Sequence, residues 1–189
     1  MDALVLSFAV IFVAELGDKS QLMAMTFATR YKLWTVLAGI SAATAVVHLA
    51  SVAIGVLVGV RLPTTLINAL AGLAFIAFGV WTLRGDTLTE AEKEKAARMN
   101  RSAFLAVAVA FFLAELGDKT MLATVTLATN NGWFGTWIGS TVGMVAADAL
   151  AIAVGAMLGR HLPEKAIKIG ASVLFFAFGL WLLGEALIG

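Results

Sequence analysis

The chain has 189 residues, of which 61% are hydrophobic and only 13% charged, about half the usual share of roughly 25% in soluble domains. A mean hydropathy of +0.96 would leave far more apolar surface in water than a soluble domain of this size tolerates, so lipid is the natural solvent. The net charge of +1 and the absence of a basic patch give nothing for nucleic acid to bind, and the lack of cysteine excludes disulfides, iron–sulfur clusters and thiolate metal sites.

Six apolar stretches follow in chain order: residues 3–29, 33–60, 64–83, 102–129, 133–159 and 165–187. Each is long enough to cross a hydrocarbon core of about 30 Å. The fold class expected is therefore an all-α integral membrane protein. The first stretch begins just after Asp2, with no Lys or Arg before it and no small-residue cleavage site, so it reads as a mature first span and not as a signal peptide. Straight helices over the first and fourth stretches would reach about 40 Å, and both carry charges midway. Tilt, or a break at the charges, is expected there.

The one extended polar segment, residues 84–101 (RGDTLTEAEKEKAARMNR), reads as a solvated linker containing a short helix, with Thr87 and Glu90 spaced as a capping box. It divides the chain into residues 1–83 and 102–189. These two parts are copies. With a shift of 100 residues and no gap, AELGDK at Ala14–Lys19 returns at Ala114–Lys119, Leu62–Pro63 at Leu162–Pro163, and AFG-x-W at Ala77–Trp81 as Ala177–Trp181. Three spans per copy is an odd number, so the second copy enters from the opposite face. This predicts inverted repeats about a pseudo-two-fold axis in the membrane plane, the plan of many secondary transporters.

Lys and Arg in the loops set the orientation. One side gathers Arg30, Lys32, Arg84, Lys93, Lys95, Arg98, Arg101, Arg160, Lys165 and Lys168, and the other holds Arg61. The basic loops and the linker are expected in the cytoplasm, with both termini outside.

Five acids lie inside the spans: Glu15, Asp18, Glu115, Asp118 and Asp148. An ionised carboxylate at the centre of a membrane costs at least a few kcal/mol, so such residues face a water-filled cavity or a partner. Glu15 and Asp18, three apart, are expected on one helix face, and Glu115 and Asp118 likewise. Inversion would bring all four together near the midplane, where a divalent cation, protons or lysines must offset them. Gly17 and Gly117 between the acids weaken the helix and permit close backbone approach. Ser20, Thr120 and Gln21 add neutral oxygens, and Thr26, Thr124 and Thr126 lie further along.

A donor set of hard oxygens without Cys or a nearby His favours Mg²⁺, Ca²⁺ or Mn²⁺. Met23, Met25 and Met121 could add a soft ligand, although mid-helix methionines usually serve packing. Lys19 and Lys119 follow Glu15 and Glu115 by four residues, the order of a same-face ion pair. Such pairs would leave one carboxylate over in each copy. His48 and Asp148 occupy equivalent positions and read either as hydrogen-bonded bundle residues or as a proton relay. The stripes Gly55/Gly59, Gly155/Gly159 and Gly135/Gly139/Gly143 signal close helix packing and permit a homodimer. Trp34, Trp81, Trp133, Trp137 and Trp181 suit an aromatic belt, and Glu185 an interfacial position.

At ELGDKS (Glu15–Ser20) and ELGDKT (Glu115–Thr120) the sequence resembles the GDT-one family of cation/proton exchangers in the LysE transporter superfamily, which includes bacterial manganese exporters and a Golgi manganese/calcium transporter. The likeness covers nearly the whole chain. It implies export of Mn²⁺ or Ca²⁺ from the cytosol in exchange for protons, with no permanently bound cofactor. It further implies residence in a membrane, here a bacterial inner membrane, and a cation site at Glu15, Asp18, Glu115 and Asp118 with Ser20 and Thr120 beside it. Competing readings are a small-solute or amino-acid exporter of the same superfamily and a passive divalent-cation channel. No nucleophile–base pair accompanies the acids, so the sequence points away from an enzyme.

Overall fold

The computed structural model describes residues 2–59, 63–84, 102–158 and 164–188. The described residues form eight α-helices and no strand. They are α1 (Ala3–Glu15), α2 (Lys19–Ala28), α3 (Leu33–Gly59), α4 (Thr64–Arg84), α5 (Ala103–Glu115), α6 (Lys119–Asn130), α7 (Trp133–Leu158) and α8 (Glu164–Ile188). The capping box expected at Thr87 and Glu90, and most of the linker's charges, lie outside the described residues.

Helices α3, α4, α7 and α8 are each long and apolar enough to cross a membrane. The first and fourth apolar stretches are each two shorter helices. α1 stops at Glu15 and α2 starts at Lys19, while α5 stops at Glu115 and α6 starts at Lys119. The break sits at the glycine of each motif. Gly17 has φ 75° and Gly117 φ 77°, a left-handed conformation that a β-carbon disfavours. The outer ends are capped by side chains, Asp2 accepting from Leu4 N–H and Ser102 from Leu105 N–H.

The two copies are interwoven. α1 packs along α7, and its equivalent α5 along α3; α2 packs on α7, and α6 on α3; α4 and α8 pack on each other. Small residues set the directions. Gly135 lies against Ala3, Gly139 against Leu4 and Phe8, and Gly143 against Phe8 and Phe12, so α7 and α1 advance together. Gly55 meets Val125 and Gly59 meets Thr129, so α3 and α6 also advance together. In contrast, Gly72 faces Gly179 and Leu183 while Gly79 faces Phe176, so α4 and α8 run oppositely.

Gly55, Gly59, Gly135, Gly139 and Gly143 thus face neighbours within the chain, while Gly155 meets the Met25 side chain and Gly159 lies outside the described residues. At Gly139 an added β-carbon would stand 2.3 Å from the Leu4 carbonyl oxygen, whereas at Gly170 nothing lies within 4 Å. Gly139→Ala is therefore expected to cost about 1–3 kcal/mol through overpacking, and Gly170→Ala to leave stability unchanged or slightly raised. Thermal unfolding of the two variants in detergent checks the contrast.

Two apolar clusters fill the interior. One joins Ile11, Ala14 and Leu127 to a phenylalanine stack, Phe75, Phe78 and Phe175, with Phe178 against it; the other joins Met23, Phe27, Ile40 and Phe111. Around them large apolar side chains such as Leu57, Leu73 and Leu180 are more than half exposed, the outward surface of a protein whose solvent is lipid. Trp34 and Trp133 are exposed near helix ends, while Trp137 turns inward and donates from Nε1 to the Ala45 carbonyl at 2.9 Å.

Candidate cation site

The helix breaks decide where each motif side chain points. Glu15 closes α1 and Asp18 is the N-cap residue of α2, so the two do not share a continuous helix face as the spacing predicts. For the same reason Lys19 belongs to α2 and Glu15 to α1, and the i,i+4 geometry of a same-helix pair is absent. An N-cap aspartate usually accepts from its own helix, but neither Asp18 nor Asp118 makes a side-chain cap bond. Their carboxylates turn instead to the other copy. Lys119 Nζ donates to Asp18 Oδ1 at 2.5 Å, and Lys19 Nζ stands 3.6 Å from Asp118 Oδ1. Two reciprocal ion pairs thus cross between the copies.

The glutamates are held from below by hydroxyls of the restarted helices. Ser20 Oγ donates to Glu15 Oε1, and Thr120 Oγ1 donates to Glu115 Oε2 at 2.9 Å. Gln21 ties the break together. Its Oε1 accepts from Gly17 N–H at 2.8 Å and its Nε2 donates to the Ala147 carbonyl on α7 at 3.0 Å. In the second copy Met121 Sδ takes the place of the amide oxygen, 3.2 Å from Gly117 N. Thr26 and Thr126 spend their hydroxyls on the Leu22 and Leu122 carbonyls of their own helices, away from the acids. Thr124 does the same toward Thr120.

Burial is nearly complete: Glu15 is 0% exposed, Asp18 2%, Glu115 1%, Asp118 3% and Asp148 0%. The acids act on one another as a group, with Glu115, Asp18, Asp148 and Lys119 all within electrostatic reach of Glu15. Glu15 Oε2, Asp18 Oδ2, Glu115 Oε1 and both oxygens of Asp148 make no hydrogen bond within the protein. Five acids against two lysines in so buried a site leave an excess of negative charge if all are ionised, which protons or a cation would offset. Among the described residues no three acidic or imidazole side chains stand close enough to hold one ion, and both aspartates are paired with lysines. His48 is buried on α3 between Thr44 and Ser51, and its Nδ1 makes no hydrogen bond. Buried hydroxyls that the sequence did not single out, Ser7, Thr136 and Ser140, lie on α1 and α7 with no partner within the protein.

The family profile described as "Divalent cation/proton antiporter GDT1" matches residues 3–90 and 103–189. The chain belongs to the GDT1 family. It is 31% identical over 183 residues to a Vibrio cholerae protein named "Putative manganese exporter", covering 95% of this chain and 90% of that one. A Synechocystis GDT1-like protein is 30% identical over 188 residues, covering 90% and 91%. GDT1-like protein 2, chloroplastic, of Oryza sativa is 34% identical over 203 residues; these cover 92% of this chain but 58% of the longer plant protein. No solved structure matches the chain. As a GDT1 member the chain is a multi-pass membrane protein of a transporter family, and each ELGDK motif falls inside a matched segment.

Proposed function

We propose that the protein exports a divalent cation, Mn²⁺ in preference to Ca²⁺, from the cytosol in exchange for protons, by alternating access around one midplane site. The observation that carries this is the buried cluster in which each copy supplies a glutamate and an aspartate and lends its lysine to the other. Glu15, Asp18, Glu115 and Asp118 bind the cation, with Ser20, Thr120 and Gln21 steadying them. Hard carboxylate oxygens suit Mn²⁺ and Ca²⁺ alike, and the manganese name of the Vibrio relative favours Mn²⁺.

The membrane plan follows the same lines. The broken pairs α1–α2 and α5–α6 each make one span, giving six. Parallel packing of α1 with α7, and antiparallel packing of α4 with α8, support inverted copies, since copies entering from the same face would reverse both relations. The basic loops lie in the cytoplasm and both termini outside, in a bacterial inner membrane.

Lysine serves as the internal counter-ion. With no cation bound, Lys119 and Lys19 neutralise the aspartates; an arriving cation displaces them, and the carboxyl protons leave. When the site faces outward, protons compete for the same oxygens and return the lysine-paired state. Asp148, beside the acids, and His48, its equivalent in α3, relay protons.

Because a carboxylate must lose its proton to bind metal, Mn²⁺ affinity should fall as pH falls from 8 to 5. The drop is about tenfold per pH unit for each proton displaced. Calorimetric titration of the purified protein checks this, and an affinity flat over that range would rule out competition at the cluster.

A further inference from the structure

A second polar feature stands apart from the motif residues. A cavity of about 540 Å³ opens between α4, α6 and α8. Its wall carries Asn68, Thr126, Asn131 and the carboxylate of Glu185, and no Lys or Arg among the described lining residues. Asn130 Nδ2 donates to Asn68 Oδ1 at 2.7 Å, joining α6 of one copy to α4 of the other across its edge. The floor is aromatic. Phe75 and Phe178 meet edge to face with centroids 4.8 Å apart, and Phe75 also contacts Phe78 and Phe175. The same packed cluster holds Ile11 and Ala14, the residues that lead into Glu15.

This arrangement is unusual for a lipid-facing surface. Amides and hydroxyls are costly at membrane depth unless they line a water-filled space. A carboxylate beside neutral amide and hydroxyl oxygens suits a hydrated divalent cation held weakly through water. Under the orientation proposed above, the C-terminal ends of α6 and α8 lie outside, so the cavity faces the external medium, and its lining residue Phe75 shares an apolar cluster with Ala14, next to Glu15.

We infer that this cavity is the external vestibule of the transport path and a weak binding site for the hydrated divalent cation. Glu185 is its charged ligand, Asn68 and Asn131 are its neutral oxygens, and the Phe75–Phe178 contact closes it from the motif site. The inference rests on the exchanger reading for its direction and on the cavity's own lining for its ligand.

The chain contains no cysteine, so a single introduced one reports cleanly. Thr126→Cys in the vestibule, and Lys32→Cys on the opposite side as a control, are exposed in intact cells to a membrane-impermeant thiol reagent. The vestibule cysteine should label from outside and the control only after permeabilisation. Mn²⁺ at about ten times its dissociation constant should slow the vestibule labelling about tenfold, and Glu185→Gln should remove that protection.

Glu15→Gln in the same background blocks transport at the motif site but should leave labelling and protection intact. Failure of the exchanger reading would thus show as absent proton exchange with protection retained. Failure of the vestibule would show as no external labelling, or as labelling that Mn²⁺ does not slow.

Discussion

Glu15→Gln and Glu115→Gln should each reduce cation-driven transport by roughly 100-fold or more, close to 3 kcal/mol of lost stabilisation along the path. The amide keeps the size of the glutamate and still accepts from Ser20 or Thr120, so the side chain stays in place. What it loses is the negative charge that a cation or a proton requires. Folding should not suffer, because a neutral amide is cheaper to bury than a carboxylate whose second oxygen makes no hydrogen bond. Uptake of Mn²⁺ into inverted vesicles, measured beside thermal unfolding of the same variants, separates the two effects. Transport at more than a tenth of the normal rate in both variants would remove the glutamates from the site.

The second large effect falls on the lysines, and it should be unequal. The Lys119–Asp18 pair is short at 2.5 Å, with side chains 3% and 1% exposed. The Lys19–Asp118 pair is 3.6 Å, and Lys19 is 15% exposed. Removing one partner of a fully buried pair leaves an uncompensated charge and costs about 3–5 kcal/mol. Lys119→Met is therefore expected to destabilise the protein by that amount and Lys19→Met by clearly less. Adding Asp18→Asn to Lys119→Met should restore most of the stability, because a neutral pair of similar size leaves no charge unpaired. Transport should stay lost in the double variant, since one cation ligand is gone. Thermal unfolding of the single and double variants decides the first point, and vesicle uptake the second. If the double variant transports normally, Asp18 and Lys119 are a structural pair and not part of the site.

The polar motif residues were legible in the sequence for a physical reason: an intramembrane acid is too costly to be incidental, and a motif doubled at a fixed spacing is not a chance match. The boundaries of α3, α4, α7 and α8 also followed closely from hydropathy, because a run of apolar side chains has one way to lie in lipid. What hydropathy could not show was where Glu15 and Asp18 point. Spacing of three implies a shared face only on an unbroken helix, and Gly17 at φ 75° turns the chain between them. The cross-copy lysine pairs were hidden for the same reason, since they depend on how α2 meets α6 and not on any spacing within one segment. The stripes Gly55/Gly59 and Gly135/Gly139/Gly143 announced close packing correctly but not with what. That answer lies in the register of α7 on α1 and of α3 on α6. Asn68 gave almost no signal, a single amide in an apolar helix whose use appears only when Asn130 is brought to it from the other copy.

The most direct test is proton movement itself. Purified protein in liposomes holding a pH-sensitive dye is given Mn²⁺, then Ca²⁺, outside, with Asp118→Asn in parallel. The proposed function predicts proton efflux driven by either ion, larger for Mn²⁺ and absent in the variant. Folded protein that moves no protons with either ion, or that moves the cation as an electrical current without protons, would contradict it.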